Sequence, residues 1–208
     1  MPERSTFSLL RDDEREVRRQ VIIDSTIRML SQRPFVEIGM RDIAAEAGVS
    51  AASIYRYFPA RNDLLVEAFV HQMNMIGDEF YRKMAEKPMS IFEFSDYVVD
   101  HLTENEATFQ MMSYLMVVEQ MPPRVLDKYN EILRRFIGEF RRILELNGIE
   151  GDLRILAQTF FSALAGVTMA YRNYPGRTKD EIRKHMKRHA RIIAALFKRG
   201  MPAMDTHL

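Results

Sequence analysis

Apolar side chains recur every three or four residues along nearly the whole chain. No run alternates polar and apolar positions between turn signals, so the pattern predicts an all-α fold. Arg61 to Met84 reads as one long helix with Leu64, Leu65, Ala68, Phe69, Met73, Ile76 and Phe80 on its apolar side. Pro88 ends the approach to the next helix. Ser90-Ile91-Phe92-Glu93 is a capping box, with Met89 and Phe94 placed as a hydrophobic staple, and opens a helix to about Thr103. A polar-to-apolar switch near Asn105 opens another, to Gln120. Pro122 and Pro123 open a long helix that ends at the C-cap pair Asn147-Gly148. Asp152 to Tyr174 follows, stopped by Pro175-Gly176. A second capping box, Thr178 to Glu181, opens the last helix, which runs to Arg199 and ends at Gly200. With three shorter helices ahead of Arg61, the expectation is nine helices. Three form an N-terminal head (residues 1–60) and six a C-terminal body (residues 61–208), joined by the fourth helix without a flexible linker.

Arg41 to Phe58, RDIAAEAGVSAASIYRYF, has the features of a helix-turn-helix. Ala44 is small where the second helix crosses, Gly48 suits a positive-φ turn, and Ile54 faces the core. Ser50 stands at an N-cap position. Tyr55, Arg56 and Tyr57 carry donors suited to phosphate oxygens or base edges. Phe58 reads as a core plug and Pro59 as a helix stop. A helical hairpin inside a core is the competing reading, and three polar-tipped residues in a row argue against it.

On these residues the chain resembles the TetR family of bacterial one-component regulators, without a gap from Ile22 to Leu65. The family's first helix corresponds to Ile22 through Leu30, its second to Met40–Ala47, its recognition helix to Ala51–Tyr57, and the start of its fourth to Arg61–Leu65. The resemblance implies a DNA-reading head, a ligand-binding and dimerising body, and usually repression. It implies DNA contacts from Arg41, Ser50, Ala51, Ala52, Ser53, Tyr55, Arg56, Tyr57 and Arg61. Arg56 or Tyr55 is expected to read a base, and Arg41, Tyr57 and Arg61 to hold phosphates. Three positions depart from the family pattern. Ile38-Gly39 lacks the usual capping Thr or Ser, Ala51-Ala52 replaces a frequent Lys-Gly pair, and Pro34 stands where Gly is common. Two small apolar side chains at 51 and 52 suit thymine methyl groups.

Charge then narrows how such a chain meets DNA. With 30 Lys and Arg against 29 Asp and Glu, the formal net charge is +1, so binding must come from placed charges. Arg4, Arg11, Arg15, Arg18 and Arg19 either extend the footprint or form a solvated face balanced by Asp12, Asp13, Glu14 and Glu16. The chain has no Cys, which excludes disulfides and Cys-ligated zinc. A polar N-terminal stretch and a longest apolar run, Phe160–Tyr171, too short for a bilayer predict a soluble, cytoplasmic protein with no membrane partner.

Two stripes suggest a homodimer. Phe161, Leu164, Thr168 and Tyr171 recur in the eighth helix, and Met186, His189, Ile193 and Phe197 in the ninth, although either stripe also suits the chain's own core. The middle of the chain concentrates its 15 Met and 13 Phe. Met73, Phe80, Tyr97, His101, Phe109, Met112, Met116 and Glu119 are the candidate lining of an effector site, with Gln110 and Tyr114 as further polar groups. Core packing is the bland alternative. An elongated or aromatic apolar effector, such as an acyl chain, fits this lining better than a sugar or nucleotide. Glu181, His185 and His189 share a helix face but read as charge-pairing rather than metal-binding residues, and Arg183, Lys184, Lys187, Arg188 and Arg191 as a solvated face. No phosphate loop, nucleophile elbow or paired-carboxylate signature is present, so neither catalysis nor a cofactor is expected. The sequence thus predicts a ligand-responsive homodimeric repressor of a pseudo-palindromic operator. The alternative is a helical ligand-binding or scaffold protein that does not read DNA.

Overall fold

A computed structural model describes residues 6–119 and 121–199, with side chains from residue 13 onwards. Among the described residues the fold is all-α: α1 (Thr6–Leu30), α2 (Met40–Glu46), α3 (Ala51–Tyr57), α4 (Arg61–Glu86), α5 (Ile91–Glu104), α6 (Glu106–Val117), α7 (Pro123–Leu146), α8 (Leu153–Tyr171) and α9 (Lys179–Lys198), plus one 3-10 turn, Phe35–Glu37. The sequence signals that set the boundaries act as expected. Ser90 Oγ accepts the Glu93 N–H at 3.2 Å while Glu93 Oε2 accepts the Ser90 N–H at 2.8 Å. Thr178 and Glu181 repeat the arrangement at α9. Gly148, at φ 69°, ends α7. Asn147 does more than end the helix. Its Oδ1 accepts the Ile91 N–H at 2.9 Å and so satisfies a free donor at the start of α5.

The chain divides into two compact units, and the division differs from a cut at residue 60. The first unit holds residues 1–72 and 106–129, so α6 and the start of α7 belong with α1–α3 and the beginning of α4. In it α1 packs on α2 and α6, and α2 on α3. The core is built from Ile22, Ile23, Leu30, Ile38, Ile54, Phe58, Leu64, Leu65 and Met111, each under 2% exposed. Burying side chains of this size contributes about 1.5–3 kcal/mol apiece.

The second unit holds residues 73–105 and 130–208. Here α5 packs on α8 and α9, and α8 on α9. Phe80, Phe94, Phe140 and Phe160 stack edge-on or tilted at 4.9–6.4 Å through its centre. Ala190 and Ala194, both fully buried, let α9 approach closely. Beside that seam runs an ion-pair ladder: Arg183 with Glu104, Lys187 with Asp100, and Arg191 with Asp96 on α5. Three of the cations expected on a solvated face are therefore spent between helices. Their exposure limits each pair to about 0–1 kcal/mol, so the ladder fixes register more than it adds stability.

α8 corrects one expectation. Taken whole, Leu153–Tyr171 is long and apolar enough to cross a bilayer by length and composition, and only 33% of that stretch is buried. Leu156, Ala157, Phe160, Leu164, Ala165 and Thr168 face the unit's own core. The opposite face, with Ile155, Gly166 and Met169, is open.

Candidate functional site

The head is assembled from short helices whose caps compensate for the departures in the sequence. Gly39 offers no side chain to cap α2, but Asp42 Oδ2 reaches back to accept the Gly39 N–H at 2.8 Å. Gly48 turns the chain at φ 67°, letting the Val49 N–H bond the Ala44 carbonyl at 2.9 Å. Ser50 Oγ then accepts the Ser53 N–H at 3.0 Å and starts α3. Ile54 and Phe58 are 0% and 1% exposed, and they anchor the inner face of that helix.

The outer face of α3 carries most of the residues expected to meet DNA. Ser50, Ala51, Ala52, Tyr55 and Arg56 are exposed, and Ser53 and Tyr57 half-buried. Ser50 Oγ donates to Ser53 Oγ at 2.9 Å, which also accepts from Arg56 Nη2 at 3.4 Å. This chain holds the Arg56 guanidinium along the helix and leaves its other donors outward. Arg41 is exposed and makes no ion pair among the described residues. By contrast Arg18 pairs with Glu14 and Arg28 with Glu46, while Arg19 pairs with Glu67 at 2.6 Å. Arg4 and the Arg11 side chain lie outside the described residues. Arg18 and Arg19 thus fit the balanced-face alternative, and Arg15 stays exposed.

Arg61 is the exception. Its guanidinium lies 3.6 Å from the centre of the Phe35 ring and donates through Nη2 to the Phe35 carbonyl. Burial lowers its pKa from the usual value. It is a strut inside the first unit rather than a cation held out to a phosphate. Phe35 is gripped from two more sides. Tyr114 packs on its ring at 4.4 Å and donates to Asn62 Oδ1 at 2.9 Å, and Gln110 Oε1 accepts the Phe35 N–H at 2.6 Å. Sequence reasoning did not find this cluster. Its members lie up to 79 positions apart, and only the Met-rich setting of Gln110 and Tyr114 drew attention to them.

The eight candidate effector residues divide between the units. Met73 and Phe80 are buried on α4, and Tyr97 and His101 half-buried on α5, all in the second unit. On α6 Met112 is buried and Phe109 half-buried, whereas Met116 and Glu119 are exposed, all in the first. A separate groove of about 630 Å³ lies between α7 and α8, lined by Leu133, Ile137 and Phe161, with Arg134, Arg141 and Arg154 beside them.

Of the residues expected at a dimer surface, Leu164, Thr168, Met186 and Phe197 are buried in the second unit's own core, at 0%, 1%, 0% and 8% exposure. They offer no surface to a partner. Phe161, Tyr171, His189 and Ile193 are half-buried. The apolar residues turned outward on these helices are Ile155, Met169, Ile192 and Leu196, 39–59% exposed. The rings of His185 and His189 sit 4.4 Å apart against Tyr171. Among the described residues no group of three or more His, Asp or Glu is placed to hold a metal ion.

Residues 22–68, the segment that carries this head geometry, match the family model described as bacterial regulatory proteins, tetR family. An uncharacterised HTH-type transcriptional regulator of Mycobacterium tuberculosis is 41% identical over 66 residues. That match covers 31% of this chain and 32% of the relative, about a third of its length. Over most of the chain the likeness is one of fold. The regulator FadR of Bacillus subtilis, solved with stearoyl-CoA, superposes with a TM-score of 0.63 at 18% identity, covering 88% of this chain and 99% of its own. A regulator from Saccharomonospora viridis solved with choline gives 0.59 at 21% identity, covering 82% and 93%.

Proposed function

Because the chain belongs to the TetR family of bacterial transcription regulators, we propose that it acts in the cytoplasm as a homodimeric repressor, released from a pseudo-palindromic operator when an effector binds its helical body. The observation that carries this reading is α3. Two buried anchors, Ile54 and Phe58, fix a helix whose outer face is Ala51, Ala52, Tyr55 and Arg56. Seven residues are enough to lie in a major groove, since only the first turns of a recognition helix reach base edges. In this reading Arg56 or Tyr55 contacts a base, Ala51 and Ala52 meet thymine methyls, and Arg41, Ser53 and Tyr57 hold phosphates.

A single head of this size makes few contacts, and two related by a twofold axis match a palindromic site. The outward faces of α8 and α9 support a dimer through Ile155, Met169, Ile192 and Leu196, because that much exposed apolar surface on two adjacent helices calls for a partner. Gly166 lies on the same outer side, where an added Cβ would meet nothing within 4 Å, which suits close helix approach.

An apolar effector is supported by Met73 and Phe80, buried on α4 within the second unit. The stearoyl-CoA and choline of the two solved relatives belong to those proteins; they support only the idea that such a body takes small molecules. The effector is proposed to favour a conformation whose heads no longer match the operator spacing.

The test is selection of bound sequences from a random duplex pool at near-physiological salt. A palindromic consensus with salt-dependent affinity supports the reading. No enrichment, before and after refolding to strip bound ligand, would favour a helical ligand-binding protein that does not read DNA.

A further inference from the structure

Five polar groups stand among the apolar residues expected to hold an effector: Tyr97, His101, Gln110, Tyr114 and Glu119. Three are accounted for. Gln110 is bonded to Phe35, Leu30 and Arg33, Tyr114 to Asn62, and Glu119 is exposed. Tyr97 and His101 remain. They lie one turn apart on α5 with ring centres 6.1 Å apart. The Tyr97 hydroxyl and His101 Nε2 are both buried and have no hydrogen-bond partner.

Both groups are neutral donors. Burial, helped by Glu79, pushes the Tyr97 phenol up to about 12. Burial pushes the His101 imidazole below its usual value, against a smaller pull from Glu79. Asn105 Nδ2 sits 3.4 Å from His101 Nδ1. With Nδ1 as acceptor, the ring proton is on Nε2. Folded proteins seldom leave two buried donors one turn apart unpaired, because each forfeits its hydrogen bond to water.

The α4 row that carries Phe80 against the Tyr97 ring also carries a glycine. Gly77 falls in the inward row of α4 with Met73, Phe80 and Met84, and an added Cβ there would meet nothing within 4 Å. The Phe80 ring, one turn on, is 5.9 Å from the Tyr97 ring. The local charge is balanced, since Lys83 pairs with Glu79 at 2.7 Å. The acceptor that completes the site therefore need not be an anion.

Resting on the reading of the body as an effector domain, we propose that Tyr97 and His101 are the polar end of the effector site, donating two hydrogen bonds to an sp2 oxygen, carbonyl or carboxylate, of a ligand whose remainder is apolar. The apolar part is assigned to the α4 side of the pair, along Phe80 and Gly77. The effector class is thereby narrowed from any apolar molecule to acyl compounds and aryl ketones, esters or acids.

The test is calorimetric titration of the full chain with decanoate, methyl decanoate and decylamine. The two oxygen-bearing probes bind, and decylamine binds at least about 10-fold more weakly. The ratio of decanoate to its ester tells whether the site prefers a charged or a neutral oxygen. Tyr97→Phe and His101→Leu each weaken the oxygen probes about 10-fold. Tyr97→Phe leaves the Tm of the ligand-free chain unchanged or raised, since it removes only an unpaired buried donor; a merely structural role would lower it. Gly77→Leu abolishes binding of all three probes while the chain stays folded by circular dichroism. Equal binding of decylamine, or variants that bind like the parent, overturns this assignment and leaves the apolar-effector reading standing. Failure of every probe to bind overturns both.

Discussion

The side-chain amide of Gln110, on α6, donates to the carbonyl of Leu30 at 2.8 Å, at the last residue of α1. It also donates to the Arg33 carbonyl at 3.1 Å and accepts the Phe35 N–H at 2.6 Å. One side chain therefore satisfies helix-end carbonyls that would otherwise lack partners, and fixes the turn that leads into α2. α6 is also the helix that carries Phe109, Met112 and Met116. A movement of α6 would be felt directly at the end of α1.

Gln110→Ala is therefore expected to act twice. Leaving the part-buried Leu30 carbonyl and Phe35 N–H unpaired costs about 1–3 kcal/mol of stability, read as a lower urea midpoint. If the proposed release from operator runs through α6, the substitution also reduces the factor by which effector weakens operator binding, a coupling ordinarily worth about 1–3 kcal/mol. A variant that is less stable but releases DNA as readily as the parent would show Gln110 to be structural only.

Arg61→Ala should lower stability rather than DNA affinity. Its guanidinium is stacked on Phe35 and bonded to the Phe35 carbonyl, so the loss is about 1–3 kcal/mol in the urea midpoint. Arg61→Lys should recover little, since an ammonium lacks the planar face. Arg41→Ala is the contrasting case: stability unchanged, and the slope of log affinity against log salt shallower by about 1. A flattened salt slope for Arg61→Ala would return Arg61 to the DNA surface.

The two arginines show where sequence reasoning stops. Arg41 and Arg61 both stand in the first turn of helices next to the recognition helix, and nothing local separates them. What separates them is Phe35, 26 residues before Arg61, and only folding brings the two together. Local signals fared better. The capping boxes at Ser90 and Thr178, the Asn147-Gly148 stop and the Gly48 turn each depend on residues within one helical turn, and the helices begin and end where those residues said. The 3-10 turn at Phe35–Glu37 had no such signal. Nor could the stripes of α8 and α9 be oriented. Both helices are apolar over more than one face, so Ile192 and Leu196 look as core-like in sequence as Met186 and Phe197. Spacing alone cannot say which face a neighbouring helix will cover.

Arg56→Ala should weaken operator binding by about 1–3 kcal/mol while binding to random duplex changes much less. Ser53→Ala, which removes the oxygen that holds the Arg56 guanidinium at 3.4 Å, should give a smaller loss in the same direction. Competition assays with the selected operator and scrambled DNA measure both. Equal losses on the two DNAs would make Arg56 a phosphate contact.

Acid should spare the start of α5. Hydrogen bonds from Ser90, backbone first, and then from Lys87 hold the Glu93 carboxylate at about 2, below its ordinary 4.5. A depressed carboxylate contributes stability that is fully present above about pH 4.5 and disappears as pH falls through about 2. Glu93→Gln keeps the cap without the charge. The Tm difference between parent and variant should therefore be constant above pH 4.5 and shrink toward zero near pH 2. A difference that does not vary with pH would mean that the charge on Glu93 contributes nothing.

The proposed dimer face can be separated from the core by choosing residues one turn apart on α9. Ile192 and Leu196 are 54% and 59% exposed, while Met186 and Phe197 are buried. Replacing both exposed residues with Asp puts like charges on a twofold surface, where each meets its own copy or a close neighbour. The double variant should sediment as a monomer with its helix content intact and bind operator far more weakly, because one head engages only one half-site. Met186→Ala behaves differently: it opens a cavity, costs about 2–5 kcal/mol of stability and leaves the association state alone. If Ile192→Asp with Leu196→Asp remains dimeric, the subunits meet elsewhere, and the groove between α7 and α8, with Phe161 in its lining, becomes the next surface to mutate.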